Sequence, residues 1–380
     1  MTHPFHLRLQ KELELRRQTD LRRSIQIQDA CRLNLVSNDY FQLRSHPEVL
    51  AGAREALEQY GASSSASPLL SGFLPCHEHL IQQLKSWKNK KAGLLFNTGF
   101  MANQALITHL PGPNDLVLVD RLIHHSIAQA LGKTSARFKR YRHLNLGHLE
   151  ELLAENHQAY ESLFVITESV FSMDGDYPDL PELAALKSKY PFVWILDEAH
   201  ATGVFGPTGG GLAEETGVLA EVDILMGTLG KALASMGAYI LTDSQNIMDY
   251  LVNYSGELIY STYLGPPQVG AAQAALNVIQ NSRQTAEQIR HTAGLFRRKL
   301  KAEGWPSKDF DSQIVPLILG KPREALELRD KLLEHGILTG AVRPPTVPKD
   351  SSRLRFSFHS GVTEDHVNEI VEILKAWRRR

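Results

Sequence analysis

SLFVITESV (162–170), FVWILDEAH (192–200) and VDILMGTLGK (222–231) each contain a short apolar run without polar alternation, then break into acidic, small or hydroxyl residues. A strand with one wet face would alternate with period two, whereas unbroken runs suit strands covered on both faces, as in a parallel sheet. The pattern extends outward to AGLLF (92–96), DLVLVD (115–120), ARFKRYRH (136–143) and GAYIL (237–241), with longer segments of helical period between. About seven strands alternating with helices predict an α/β architecture with a mainly parallel sheet.

Towards the N-terminus, Leu9, Leu13 and Leu21 recur at near-helical spacing among many charges, which predicts an amphipathic helix over 5–25. LNLVSNDYF (33–41) reads as a short strand. Beyond LGPPQ (264–268) come a long helical stretch, the strand-like SQIVPLIL (312–319) and LRFSF (354–358), and a closing helix in TEDHVNEIVEILKAW (363–377). There Thr363 can cap, Glu364 and Asp365 suit the first turn, and Val367, Ile370, Val371 and Leu374 form one apolar stripe. The expected organisation is an N-terminal helix-and-strand segment over 1–45, a large α/β domain over 46–265 and a smaller α+β domain over 266–380.

Composition narrows the function. The chain has 380 residues at 43% hydrophobic, enough to bury a sizeable core, and 41 Lys+Arg against 42 Asp+Glu leave no basic excess for a nucleic-acid backbone. No apolar run approaches the roughly 20 residues that span a bilayer, and MTHPFHLRLQKELELRR carries no signal-peptide core. Cys31 and Cys76 are too few for a disulfide framework or a zinc ribbon. A cytoplasmic protein with no nucleic-acid, membrane or metal partner is expected.

In an open α/β sheet, ligands bind beyond the carboxyl ends of the strands. The residues that follow the apolar runs are therefore the first candidates: Asp197 and His200 after FVWIL, Thr228 and Lys231 after VDILMG, His124 after DLVLVD, and Asn97 to Phe100 after AGLLF. Pyridoxal phosphate is one ligand that needs such a set. It requires an amine for a Schiff base (Lys231), a carboxylate to keep its ring nitrogen protonated (Asp197), a partner for its phenolic oxygen (His200) and donors for its phosphate. A helix starting after Thr98 would supply the Gly99 and Phe100 amides, with Thr228 adding a hydroxyl. Singly, these residues also suit helix caps or solvated surface. TLGKA lacks the first glycine and the Ser or Thr of a P-loop, CHEHL has Ile81 where a zinc-protease motif needs its second histidine, and GPTGGG (206–211) reads as a flexible loop.

Together these residues sit in a chain that resembles the α-oxoamine synthases, pyridoxal-phosphate enzymes of fold type I that join an amino acid to an acyl thioester with loss of carbon dioxide. The likeness runs nearly end to end, through SNDYFQL, HPEVL, LLFNTGFMANQA, DRLIHHSI, TESVFSMDGD, LDEAHATGVFG, GTLGKA, IYST and VRPPTVPKDSSRLRF. The tail is most similar to members that open biotin-ring assembly from L-alanine and a pimeloyl thioester, on CoA or acyl-carrier protein. The resemblance implies that Lys231 is the Schiff-base lysine and the base, and that Asp197 pairs with the ring nitrogen. It implies further that His200 and Ser172 contact the cofactor, that Thr228 with the Gly99 and Phe100 amides holds the phosphate, and that His124 stacks on the ring and can reach the substrate. Arg22 or Arg23, Thr346, and Arg343 or Arg355 would meet the substrate, and Ser261 and Thr262 the phosphate of the neighbouring subunit in a homodimer with shared sites.

The chain departs from the family at YGASSSASPLLSG (60–72), where Ser63, Ser65 and Ala66 replace glycines and Pro68 and Leu69 replace polar residues. His125, Ser169 and Ala201 are milder changes. The alternatives are a sibling enzyme using glycine or another acyl thioester, favoured by the altered loop, and a non-catalytic assembly subunit, which the presence of Lys231, Asp197 and His200 disfavours.

Overall fold

In the computed structural model, which describes residues 3–27 and 31–379, helix α1 spans Pro4–Gln18 and stops short of the expected end at residue 25. Pro4 occupies the first turn, where its missing N–H loses no bond, and Thr19 Oγ1 closes the other end on the Leu15 carbonyl at 2.8 Å. No α1 residue is buried, and Leu9 and Leu13 are exposed, so the leucine spacing marks no packed stripe. The strand expected in 33–41 is two residues long, β1 (Leu33–Asn34).

The chain forms two compact units: a larger one of Asn38–Ser172 and Asp176–Gln288, and a smaller one of the residues up to Ser37, Met173–Gly175 and those from Ile289 on. Their boundaries, 37/38 and 288/289, differ from the expected 45/46 and 265/266 for two packing reasons. β1 pairs in parallel with Ile337–Leu338, which ties the N-terminal segment to C-terminal residues. The helix Pro266–Gln280 packs on α2 (Pro47–Tyr60) within the larger unit. That crossing is backbone on backbone: a Cβ on Gly52 would lie 2.7 Å from the Gly270 carbonyl oxygen, and one on Gly270 2.2 Å from that of Gly52. A helix-packing glycine pair carries no linker composition, so the boundary was invisible in the sequence.

In the larger unit all seven expected runs become strands of one sheet: β2 (Ala92–Phe96), β3 (Leu116–Asp120), β4 (Arg137–Tyr141), β5 (Leu163–Glu168), β6 (Val193–Asp197), β7 (Ile224–Thr228) and β8 (Ala238–Thr242). Their order is β2-β8-β7-β6-β5-β3-β4. The pairings of β4, β3, β5, β6 and β7 are parallel, and β8 runs antiparallel to both β7 and β2. β3 and β5 are buried at every position, as unbroken apolar runs require. Trp194, Leu118 and Val165 lie fully inside, and each such side chain contributes roughly 1.5–3 kcal/mol of burial.

The smaller unit contains β9 (Ile314–Gly320), β10 (Ile337–Leu338), β11 (Gly340–Val342) and β12 (Ser352–Ser357), with β11, β12 and β9 in one antiparallel sheet. Its closing helix, Glu364–Arg378, starts as expected: Thr363 Oγ1 accepts from the His366 N–H, and Val367, Ile370, Val371 and Leu374 are buried. No helix among the described residues is long and apolar enough to cross a membrane.

Candidate active site

Three neighbouring parallel strands of the larger unit end on polar residues: β5 on Glu168, β6 on Asp197 and β7 on Thr228. The register sets Glu168 directly beside Asp197. Lys231 lies in the connection from β7 to β8. Because β8 runs antiparallel, that connection turns at the carboxyl edge instead of crossing to the far end, which keeps Lys231 at the same edge as Asp197. The turn is tightly closed. Leu229 N donates to Gly237 O, Ser235 N to Leu229 O, Ala234 N to Lys231 O, and Ser235 Oγ to Gln268 O. These bonds hold Ala234 at φ +48°, a conformation that costs an L-residue about 1–2 kcal/mol.

Asp197 is buried and accepts at both oxygens, from Ala199 N at 2.9 Å on Oδ1 and from Asn103 Nδ2 at 3.0 Å on Oδ2. His200, also buried, shares a 2.6 Å hydrogen bond between its Nδ1 and the Tyr40 hydroxyl, and that hydroxyl lies 3.4 Å from Asn38 Oδ1. His124 caps the helix His125–Ala130, its Nδ1 accepting from Ser126 N. Partial enclosure, with the charges of Lys231 and His125, lowers the His124 imidazole from its ordinary range and outweighs the attraction of Asp197. Glu168 is 3% exposed, and its Oε1 is buried without a hydrogen-bond partner. Burial above all, then the Asp197 charge, pushes its carboxyl well above the usual range, while Lys231 and the His124 main-chain N–H pull it down.

The helix expected after Thr98 is present as Gly99–His109. Thr98 caps it, accepting from Met101 N at 3.1 Å, so the Gly99 and Phe100 amides stand in the first turn, where the helix leaves its N–H groups unpaired within itself. A Cβ on Gly99 would lie 3.0 Å from Met226 Cε at the strand edge, so glycine keeps this turn uncrowded. Thr228 Oγ1 accepts from Gly230 N and donates to Gly237 O. Ser172 is half-buried at the end of the TESVFS run, outside any helix or strand. Ser261 is half-buried and Thr262 exposed, the latter's carbonyl accepting from Asn97 Nδ2 at 2.7 Å.

The expected substrate residues belong to the smaller unit. Arg23 Nη2 donates to Thr346 Oγ1 at 2.8 Å, and Arg343 donates to the main-chain oxygens of Asp20 and Arg22, so Arg22 meets this group through its backbone. Part-burial and the neighbouring charges of Arg329 and Arg23 lower Arg343 from its ordinary value, a crowding of positive charge that an anion would relieve. Arg355 lies on β12 and is buried.

One loop differs from its sequence reading, and a second takes a defined turn. GPTGGG is anchored: Gly206 N and Gly210 N donate to Glu215 and Glu214, and the Gly210 carbonyl accepts from Lys88. Lys88 is fully buried and paired with Glu198 at 3.3 Å, next in sequence to Asp197. Burial raises the Glu198 carboxyl, with Lys88 opposing. In the 60–72 stretch, Pro68–Gly72 forms one π-helical turn, entered through Ser65 at φ +55°. A Cβ on Gly72 would sit 2.0 Å from the Ala66 carbonyl oxygen, so the glycine at 72 is required even though others were replaced.

The chain matches the family model of class I and II aminotransferases over residues 32–374. It is 41% identical over 323 residues to the 8-amino-7-oxononanoate synthase of Geobacter sulfurreducens (84% of this chain, 82% of the relative). To that of Thioalkalivibrio sulfidiphilus it is 37% identical over 378 residues, 96% of each chain. The chain belongs to the α-oxoamine synthases of this family. Among solved structures, this α-oxoamine synthase is similar to a serine palmitoyltransferase from S. paucimobilis with bound PLP and myriocin (TM-score 0.90, 25% identity, 98% and 96% coverage). It is also similar to the 8-amino-7-oxononanoate synthase of Francisella tularensis (TM-score 0.80, 27% identity, 91% and 98% coverage).

The donor set fits a cofactor with an aldehyde, a basic ring nitrogen and a phosphate: an amine, a carboxylate with both oxygens already oriented, and an uncrowded helix start share one sheet edge. Reading strand ends missed the residues that orient these groups. Asn103, Ser126, Tyr40 and Glu168 are buried polar side chains beside Asp197, His124 or His200. Asn103 sits within an apolar helix, and Tyr40 lies 160 residues from His200, so no local spacing could pair them.

Proposed function

We propose that this α-oxoamine synthase is an 8-amino-7-oxononanoate synthase, joining L-alanine to a pimeloyl thioester with release of carbon dioxide and thiol, and using pyridoxal 5'-phosphate. The observation that carries this reading is 37–41% identity to curated 8-amino-7-oxononanoate synthases over most of the chain. When bound, pyridoxal phosphate supplies an aldehyde that condenses with amines and a protonated ring that accepts the electron pair left on an amino acid's α-carbon.

The residues divide this work. Lys231 Nζ would hold the aldehyde carbon, and the same amine would take the alanine α-proton and later return one. Asp197, with Oδ1 and Oδ2 already fixed by Ala199 N and Asn103 Nδ2, keeps the ring nitrogen protonated. His200, oriented by Tyr40, would meet the phenolic oxygen, and Ser172 would contact the cofactor. The Gly99 and Phe100 amides with Thr228 would hold the phosphate, and His124 would cover the ring. Ser261 and Thr262 reach the phosphate of a second subunit in a homodimer, a reading supported by the exposure of Tyr260 and Thr262. The crowded charges around Arg343, with Arg23 and Thr346 joined to each other, suit a substrate carboxylate.

The purified protein should take up pyridoxal phosphate and turn yellow, and borohydride should fix the cofactor to Lys231, read by peptide mapping. A colourless protein that takes up none overturns the enzyme reading. L-alanine should shift the visible spectrum, whereas a response to glycine but not alanine would assign the sibling activity. Comparing thiol release from pimeloyl-CoA and from pimeloyl-acyl-carrier protein identifies the donor.

A further inference from the structure

Three buried side chains, Asp197, Asn103 and Ser126, run in an unbroken line to the more exposed His124. Asn103 Nδ2 lies 3.0 Å from Asp197 Oδ2 and 3.1 Å from Ser126 Oγ. Ser126 Oγ lies 2.8 Å from His124 Nδ1, and the Ser126 main-chain N–H donates to the same nitrogen at 3.2 Å. Each direction follows from the one before. Asp197 presents acceptors, so the Asn103 amide must turn its NH₂ towards it. Asn103 Oδ1 is buried without a hydrogen-bond partner, so no rival donor pulls the amide the other way. The second N–H of the same NH₂ reaches Ser126 Oγ, which therefore accepts there and sends its own proton on to His124 Nδ1. That nitrogen receives two donors and holds no proton itself.

We propose that Asn103 and Ser126 are positioning residues that hold His124 in the tautomer protonated on Nε2, and that Asp197 dictates this tautomer through them. The tautomer of a histidine is set by the bond its other nitrogen makes. Here that setting makes His124 a hydrogen-bond donor through Nε2–H to a substrate oxygen and removes it as a base at either nitrogen. The groups facing the imidazole, Asp197, Lys231 and His125, together with partial enclosure, leave it below its ordinary range, which keeps the uncharged ring in place near neutral pH. Proton removal then falls to Lys231. The proposal rests on the cofactor reading for what Nε2–H meets, while the tautomer itself belongs to the protein.

The test is long-range ¹H–¹⁵N correlation on ¹⁵N-histidine-labelled holoenzyme, with the His124 signal assigned by its disappearance in His124→Asn. The expected pattern is an unprotonated Nδ1 and a protonated Nε2 across pH 7–9. Ser126→Ala keeps the weaker main-chain donor and should raise the share of the Nδ1–H form severalfold, with kcat falling on the order of tenfold and uptake of pyridoxal phosphate retained. Ser126→Thr should restore the wild-type pattern, which a fold defect at this position would not. Asn103→Leu should produce the same mixture as Ser126→Ala. A wild-type His124 protonated on Nδ1, or a pattern unchanged in both Ser126→Ala and Asn103→Leu, overturns the proposal even where cofactor uptake stands. Failure of uptake in the wild type would instead overturn the cofactor reading.

Discussion

The carboxyl edge of the large sheet and the arginine group of the smaller unit are built in opposite ways. At the sheet edge, Asp197, Glu168 and His200 are buried, their directions set by parallel-strand register and by Asn103 and Tyr40. In the smaller unit, Arg22, Arg23, Arg343 and Thr346 lie outside strands and helices and contact main-chain oxygens or one another. The difference teaches which part of the chemistry can vary. Electronic control of a cofactor tolerates little displacement and is carried on rigid elements. Recognition of a substrate end is carried on loops, which accept change without disturbing the sheet.

The comparison can be broken at several levels. Lys231→Ala should remove the reaction almost entirely, about 10⁴-fold in kcat by thiol release, since no loop residue can replace an amine held by that closed turn. Lys88→Met should leave Glu198 unpaired under the site and cost about 3–5 kcal/mol of stability in urea melts, whereas Lys88→Met with Glu198→Leu should recover most of it. A single variant as stable as wild type would mean that the edge is less rigid than its burial implies.

A third test is pH. His143 bridges Asp120 at 2.8 Å and Asp176 at 3.2 Å. Burial alone would lower its imidazole, but the two carboxylates raise it from 6.5 to about 9. A folded value above the unfolded one stabilises fully below pH 6.5 and is lost as pH rises through about 9, a loss of about 3 kcal/mol. His143→Gln should flatten that part of the stability profile. On the arginine side, Arg343→Ala should raise the substrate KM about 10–100-fold with kcat little changed, from the loss of one charged hydrogen bond. The same KM effect in Arg355→Ala but not in Arg343→Ala would move the carboxylate site to β12. The smallest effect belongs to α1, where Leu9→Ser with Leu13→Ser should change stability by less than about 0.5 kcal/mol because neither leucine is buried.

Much of this was legible beforehand. All seven runs became strands: six are apolar at nearly every position, as coverage on both faces requires and as is written locally, while β4 (RFKRY) lies at the sheet edge and is mostly exposed. Lys231, Asp197, His200, His124 and the Thr98 cap could be singled out because strand ends and helix starts are local events. The length of α1 was misread, since leucine spacing records what could pack and not whether anything covers it. The unit boundaries were also hidden, because they follow the pairing of β1 with β10 and the Gly52–Gly270 crossing, contacts far apart in the chain.

The amino-acid sequence by itself determined the strand set, several of the polar residues at the sheet edge and the family. Tertiary structure alone decided that β8 turns back to hold Lys231 beside Asp197, that Glu168 lies in register with Asp197, and that Asn103 and Ser126 join Asp197 to His124. The reason is physical. Propensity and period act over a few residues, whereas the direction of a hydrogen bond depends on which distant strands and helices are packed beside it.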